Sequence, residues 1–97
     1  MSLRFEWDES KDRENQRKHG VSFNEAMTVF SDEYALFQSD TEHSEHEDRF
    51  LLLGLSASLR TLVVCHCFRT RADVIRIISA RRATRRERST YNRRWKP

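Results

Sequence analysis

The chain has 97 residues, of which 37% are apolar and 34% are charged, and its net charge is +3. This length provides for one domain with one small core, so we expect a single domain over residues 1–97 and exclude a multidomain enzyme. No apolar stretch approaches the ~20 residues that cross a bilayer, and the N-terminus lacks the apolar region of a signal peptide. The sequence therefore predicts a cytoplasmic protein without a membrane span, whose two cysteines stay reduced.

The first predicted elements are a short strand and a helix that has no apolar side. Phe5–Trp7 alternates apolar and polar residues, as a half-buried strand does. Asp8 is placed to cap a helix that runs to about Lys18, and His19–Gly20 is an end signal. Residues 9–19 contain no apolar side chain, so burial of an apolar face cannot hold this helix. It is either a solvated helix, which composition favours, or a helix that docks through specific polar contacts and presents functional groups.

A second helix has a clearer start and an apolar side. Ser22 and Glu25 form an S-x-x-E capping box, in which each side chain bonds the backbone N–H of the other residue. Apolar residues follow at helical spacing and predict a face buried in the core: Phe23, Ala26, Met27 and Phe30. We attach no function to this stripe.

The rest of the chain is predicted to form four strands and a final helix. The strands are predicted at Tyr34–Gln38, Arg49–Ser56, Thr61–Phe68 and Val74–Ala80. Connections of hairpin length separate the last three, which predicts an antiparallel meander. A second capping box, Thr84 with Glu87, begins a helix that runs to about Trp95. The order β-α-α-β-β-β-β-α predicts an α+β fold with helices packed on one face of a curved antiparallel sheet.

Charge is divided unevenly along the chain. Residues 1–68 carry 7 Lys or Arg against 13 Asp or Glu, whereas residues 69–97 carry 11 Lys or Arg against 2 acidic residues. Arginine binds phosphate through two parallel hydrogen bonds and stacks on bases, so this basic third predicts a polyanionic partner. The alternative is a solvated arginine-rich helix that aids solubility. The acidic stretch at residues 40–48 is predicted to be a solvated loop.

The side chains of common metal and cofactor sites are absent or wrongly spaced. Cys65 and Cys67 lie two apart in a predicted strand and lack the second ligand pair of a zinc site, so we expect free buried thiols. His43 and His46 could hold a metal only if their loop folded them together, and surface solvation is the favoured interpretation. With 2 glycines the chain cannot build a glycine-rich phosphate loop. The sequence therefore predicts neither a metal nor a cofactor.

The junction between the last strand and the last helix concentrates arginine side chains. Strand alternation predicts Arg76 and Arg82 on one face of the sheet and Arg81 on the other. Arg85 and Arg88, three residues apart, are neighbours on the helix. Arg81 with Arg85 or Arg88 is therefore predicted to form a cationic pocket for a phosphate at the helix start. The alternative is that several of these arginines pair with carboxylates of the chain itself.

Two motifs, one near each end of the chain, are shared with a known family. The first is W-D-x-x-K-x-x-x-N-x-x-K-H-G over residues 7–20, and the second is S-x-R-x-A-T/S-R-x-E-R over residues 79–88. Together they resemble BrnT, and the resemblance extends from about residue 4 to residue 91. BrnT proteins are ribonuclease toxins of bacterial type II toxin–antitoxin modules, so the resemblance implies a RelE-like fold and degradation of RNA. It also implies neutralisation by a BrnA antitoxin with a ribbon-helix-helix domain, in a hetero-oligomer that binds operator DNA through the antitoxin.

The resemblance also bears on the polar first helix. Four of its residues fall on positions of the first motif: Lys11, Asn15, Lys18 and His19. This favours a functional or structural polar network over a solvated face. The catalytic pattern of RelE itself cannot be placed on this chain, so the residue roles are hypotheses from chemistry.

Metal-independent RNA cleavage requires that the 2′-hydroxyl is deprotonated, the charge on the phosphate stabilised and the leaving 5′-oxygen protonated, and fixed cations commonly contribute most. We assign Arg81 and Arg85 to the scissile phosphate and Lys18 to electrostatic support. His19 is the candidate general acid or base, or alternatively a structural residue at the helix end. The RNA-binding candidates are Trp7, Lys11, Arg76, Arg82 and Arg88. Trp7 could stack on a base, and the alternative for it is a place in the core.

Two rival interpretations belong to other classes of protein. A non-catalytic nucleic-acid-binding module, or a co-repressor subunit, would use the same arginines only to hold phosphates, with salt-sensitive binding and no cleavage. An interaction protein would use the basic surface to hold an acidic partner segment.

Overall fold

A computed structural model describes residues 3–40, 49–69 and 73–95 of the chain. Its elements are β1 (Arg4–Glu6), α1 (Glu9–His19), α2 (Phe23–Thr28), a 3₁₀ turn (Val29–Ser31), β2 (Leu36–Ser39), β3 (Phe50–Leu55), β4 (Thr61–Phe68), β5 (Val74–Arg82) and α3 (Arg85–Trp95). The predicted order of helices and strands is confirmed. The acidic stretch that contains His43 and His46 lies, from residue 41 onward, outside the described residues. Within the described ranges no helix is both long and apolar enough to cross a membrane.

The five strands form one mixed sheet in the order β1-β5-β4-β3-β2. The strands from β2 to β5 pair antiparallel, which confirms the predicted meander. β1 pairs parallel with β5, with Phe5 beside Ile75, so the predicted antiparallel sheet is mostly antiparallel and has one parallel pair at its edge. A parallel pair needs a long connection, and the two helices and three strands between β1 and β5 provide it.

The core lies between the sheet and the first two helices. Its fully buried side chains come from α2 and its flanks and from the three central strands: Val21, Phe23, Ala26, Val29, Leu52, Leu62, Val64, Ile77 and Ala80. The predicted apolar stripe of α2 is therefore confirmed as core. Only glycine fits at position 54, because a Cβ there would lie 2.9 Å from a methyl group of Val29 and 3.0 Å from the carboxylate of Asp32.

A bulge in β5 changes which side chains share a face of the sheet. Ser79 and Ile77 pair with consecutive residues of β4, so Ile78 is an extra residue without a partner. An extra residue reverses the alternation of side chains along the bulged strand. Ile77 and Ala80 consequently both lie on the core face, although three positions separate them.

The bulge corrects two predictions about faces. Arg76 precedes the bulge and Arg82 follows it, so these two side chains lie on opposite faces, whereas the prediction placed them on the same face. Arg76 lies instead on the face of Arg81. The guanidinium of Arg81 bonds the carboxylate of Glu87 in α3. Because Arg81 points away from the core face, α3 begins on the opposite face of the sheet, and the prediction that all helices pack on one face is wrong.

One buried hydroxyl attaches α3 to the rest of the protein. Tyr91 is buried, and its OH donates to Oδ2 of Asp32 (2.6 Å). The same carboxylate accepts from the backbone N–H groups of Leu55 (2.8 Å) and Tyr34 (3.0 Å). Burial alone would raise the pKa of Asp32, but these hydrogen bonds outweigh it and lower that pKa. Burial and the Asp32 charge raise the pKa of Tyr91, so the phenol stays a neutral donor.

Polar contacts hold α1 on the sheet. Asn15 is buried; its Nδ2 donates to the carbonyls of Val21 and Ala80 (2.8 Å each), and its Oδ1 accepts from the backbone N–H of Ala80 (3.1 Å). Asp12, also buried, accepts from the backbone N–H of Phe23 (2.9 Å). The pairing of β1 with β5 ends at Arg76 and does not extend to Ala80. The Asn15 amide therefore bonds the Ala80 backbone groups in place of a neighbouring strand. The helix therefore docks through specific polar contacts, which was the alternative that composition did not favour.

His66 lies in an aromatic cluster on the core face. Its ring is fully buried, and four phenylalanine rings have centroids 4.9–6.1 Å from it: Phe30, Phe37, Phe50 and Phe68. Nδ1 is 3.2 Å from the carbonyl oxygen of Val64, and Nε2 has no hydrogen-bond partner in the described part of the chain. Burial lowers the pKa of His66 below its ordinary value.

This buried histidine predicts a loss of stability in mild acid. Between the ordinary histidine pKa of about 6.5 and the lower folded value, the unfolded chain binds a proton that the folded chain does not. Stability is therefore complete above about pH 6.5 and falls as the pH drops below it. We expect the substitution His66→Phe to remove this dependence, measured as urea midpoints at about pH 7 and about pH 5. His19→Gln, at an exposed histidine, is the control and should keep it. A wild-type midpoint that is equal at the two pH values would contradict the prediction.

Candidate functional site

Several basic side chains lie at the end of α1 and at the junction where β5 leads into α3. Asn15 ties the last turns of α1 to Ala80 of β5, so the end of the helix lies beside the end of the strand. We call the group Lys18, His19, Arg82 and Arg85 the cationic end. All four side chains are exposed. In the described ranges none of them makes an ion pair with a carboxylate.

Local sequence fixes where α1 stops and so places two members of this group. Asp8 caps the helix by accepting from the backbone N–H groups of Ser10 (2.8 Å) and Lys11 (3.3 Å). Gly20 ends it in the left-handed region, with φ of 67°, and its N–H donates to the carbonyl of Gln16. Most side chains avoid that conformation. The predicted helix and its end signals are confirmed.

An ion pair between Arg60 and Glu25 lies beside the end of α1. Arg60 binds the carboxylate of Glu25 through Nε and Nη2 and donates to the carbonyl of Gly20 (3.0 Å). The hydroxyl of Ser56 also donates to Glu25 (2.7 Å). The hydrogen bond from Arg60 lowers the pKa of Glu25 despite partial burial, and the charge of Arg82 adds a smaller effect. The network thus joins the end of α1, the start of α2 and the β3–β4 turn.

Arg81 is engaged by a carboxylate of its own chain. Its two terminal nitrogens donate to the two carboxylate oxygens of Glu87 at 2.8 and 2.9 Å. Glu87 also accepts from the backbone N–H of Thr84 (2.8 Å), and the Thr84 hydroxyl accepts from the Glu87 N–H (3.1 Å), which confirms the predicted capping box. The Arg81 hydrogen bonds lower the pKa of Glu87 to about 2. The Glu87 carboxylate therefore binds both the Arg81 guanidinium and a backbone N–H at the start of α3.

The predicted cationic pocket is not formed in this arrangement. Arg81 faces Glu87, and Arg88 donates to the carbonyl of Ala83 (3.0 Å). Arg85 is exposed and makes no ion pair within the described ranges. The alternative, in which some of these arginines pair with the protein's own carboxylates, is correct for Arg81. Its side chain remains 40% exposed, so a phosphate can still reach it by displacing the carboxylate.

Two other RNA-binding candidates have partners inside the protein. Arg76 donates to Oε2 of Glu6 (3.0 Å) near the opposite end of β5. The ring of Trp7 packs edge-to-face on Phe23, with centroids 6.0 Å apart, and its Nε1 donates to Glu9 (2.7 Å). The core alternative for Trp7 is therefore the one that the structure favours. Lys11 is exposed on α1, roughly 10 Å of helix rise from Lys18.

The thiols are structural in character. Cys65 and Cys67 are free and buried, as predicted, and burial is the main cause that raises the pKa of Cys65. Among the described residues no group of three or more His, Cys, Asp or Glu side chains is placed to hold a metal ion. The described residues of the cationic end supply fixed cations and the exposed imidazole of His19, and these groups suit a phosphate ester.

Comparison with known proteins identifies a family and a similar solved structure. Residues 7–87 match the family model described as the ribonuclease toxin BrnT of type II toxin–antitoxin systems. Among solved structures, the fold is similar to that of the Brucella abortus ribonuclease toxin BrnT, determined at 1.1 Å resolution. The TM-score is 0.64 and the sequence identity 23%, over 87% of this chain and 100% of that chain. No curated protein matches the sequence.

Proposed function

Because the chain belongs to the BrnT family of ribonuclease toxins of type II toxin–antitoxin systems, we propose that it is an endoribonuclease that cleaves RNA at the cationic end without a metal ion. One observation carries the assignment of the site: four exposed basic side chains lie at the end of α1 and at the junction of β5 with α3, and none has an ion-pair partner in the described ranges. Exposed cations without an ion-pair partner attract a polyanion, because its phosphates supply the opposite charge and its binding releases counterions. We also assign the fold to the RelE-like class.

In this proposal the fixed cations stabilise charge and the imidazole moves protons. Arg85 and Lys18 hold the scissile phosphate and stabilise the charge that grows on its oxygens. Arg81 joins them when the phosphate displaces Glu87, since both anions offer two oxygens to the guanidinium. His19 removes the proton of the 2′-hydroxyl or delivers one to the leaving 5′-oxygen. The bond that forms joins the 2′-oxygen to phosphorus, and the bond that breaks joins phosphorus to the 5′-oxygen.

Further basic residues of the protein extend the binding of RNA. Arg82, Arg88 and Lys11 bind neighbouring phosphates, whereas Trp7 and Arg76 keep the internal partners described above.

We propose that the protein acts in the cytoplasm and that a BrnA-type ribbon-helix-helix antitoxin neutralises it in a hetero-oligomer. Operator DNA would be bound through that antitoxin.

RNA cleavage in the presence of EDTA tests the proposal directly. Purified protein is expected to produce fragments that end in a 2′,3′-cyclic phosphate and begin with a 5′-hydroxyl. The control is Arg85→Ala, which removes an exposed side chain and should fold normally while losing roughly 100-fold in cleavage rate. Salt-sensitive binding without fragments would identify a non-catalytic binding module instead. Fragments that form only after a divalent ion is added would overturn metal independence.

A further inference from the structure

A cleft lies between α3 and the face of the sheet opposite α1. It has a volume of about 210 Å³, and its floor consists of four aliphatic side chains and one amide: Leu36, Leu51, Leu53, Val63 and Gln38. Three residues of α3 form its rim, namely Arg86, Glu87 and Thr90. The leucines of this floor are only partly buried, whereas Leu52, which points to the core face, is 7% exposed. The protein thus leaves an apolar surface open beside α3.

The rim of this cleft has an excess of positive charge. Arg86 and Arg93 are exposed, and their spacing places them on the same side of α3 as Thr90. Within the described ranges neither arginine makes an ion pair. The carboxylate of Glu87, the one acidic residue of α3, is already bound by Arg81. A complementary occupant therefore brings its own carboxylates.

The floor of the cleft favours a protein segment over RNA. Among its described lining residues the cleft has no aromatic ring on which a base could stack. Aliphatic floors bind the apolar side of an amphipathic segment, whose other side stays polar. β2 is the edge strand of the sheet and borders the cleft, so a segment longer than the cleft can continue past it.

We propose that this cleft is the docking site for an acidic amphipathic segment of the antitoxin. The proposal rests on the proposed function, in which a protein partner neutralises the toxin. Apolar side chains of the segment fill the space above Leu51 and Leu53, and its carboxylates pair with Arg86 and Arg93. Arg85 of the cationic end is the residue next to Arg86, so a docked segment reaches the RNA site and blocks it.

Two substitutions on the exposed rim test this assignment without touching the core. Arg86→Glu reverses a charge that the antitoxin needs, and Thr90→Trp fills the mouth of the cleft. The matched control is Arg13→Glu, which makes the same change of charge on the exposed surface of α1. Binding to the purified cognate antitoxin is measured by titration calorimetry. We expect each rim variant to weaken binding at least tenfold and the control to bind like the wild type.

The RNA cleavage assay separates this proposal from the proposed function. Both rim variants should cleave RNA at the wild-type rate, and they should resist inhibition by the antitoxin. If the wild type does not cleave RNA but rim variants still lose antitoxin binding, the proposed function fails and the docking site stands. Unchanged antitoxin affinity in both rim variants would overturn the docking site. If the rim variants lose RNA binding but keep antitoxin binding, the cleft binds RNA and the docking site is overturned. The docking site is also overturned if the isolated chain forms a dimer that Arg86→Glu dissociates.

Discussion

Replacing Asn15 with alanine is expected to lower the free energy of unfolding by about 3–4 kcal/mol. The substitution removes three hydrogen bonds and leaves backbone groups of Val21 and Ala80 without a partner. Each buried polar group left unpaired costs roughly 1–3 kcal/mol, and the enlarged space admits some water, so the sum falls below the maximum. In a domain of this size such a loss lowers the melting temperature by roughly 10–20 °C.

Two further variants make this result specific. Arg13→Ala, at an exposed position of the same helix, should change the free energy of unfolding by less than about 0.5 kcal/mol. Asn15→Asp keeps an acceptor for the Ala80 N–H but loses both donors and places a charge beside two carbonyls. We expect it to be at least as destabilising as the alanine variant at pH 7. Urea unfolding curves measure all three, and an alanine variant as stable as Arg13→Ala would show that α1 is held in another way.

Replacing Arg81 with alanine is expected to reduce the rate of RNA cleavage by roughly 100–1000-fold, the usual loss when one donor to developing charge is removed. The same substitution also breaks the pair with Glu87 and so removes structural support at the start of α3. Glu87→Gln separates these two effects, because it breaks the ion pair but leaves the guanidinium in place and free to bind phosphate. We expect this variant to cleave RNA at least as fast as the wild type.

Cleavage rates and unfolding curves of the two variants distinguish the possible roles of Arg81. If both variants lose cleavage to the same extent, Arg81 acts only by holding α3 through Glu87. If Arg81→Ala cleaves RNA like the wild type while folded, the residue has no part in the reaction. Growth arrest on expression in bacteria gives a second readout, and there the Arg81→Ala variant should permit growth whereas Glu87→Gln should not.

The elements of the fold could be predicted because their signals are local. The Thr84–Glu87 capping box spans four residues, and the bonds it predicts are the bonds observed. The strand predicted at Thr61–Phe68 coincides with β4. The parallel pairing of β1 and the bulge at Ile78 depend on contacts between distant segments. No spacing rule along one strand reveals them, and the bulge is the reason that the face of Arg76 was predicted wrongly.

The candidate site was predictable as a region but not as a set of contacts. The motifs and the charge of the last third led to the junction between β5 and α3, where the cationic end lies. The partner of Arg60 is Glu25, 35 residues away, and the partners of Asn15 are backbone atoms, which leave no mark on the sequence. One signal was available: a helix without apolar residues that carries Asp12 and Asn15 one turn apart needs polar anchors, and these two residues are its only buried ones.

The Asn15 amide has a consequence beyond the stability of one monomer. A strand border with free N–H and C=O groups is a template for pairing with other chains, and proteins cover such borders. Past the end of β1, the backbone N–H and C=O of Ala80 on this border of β5 are both bonded by the side chain of Asn15. That amide therefore also guards the protein against self-association, and its loss turns a closed border into a starting point for aggregation.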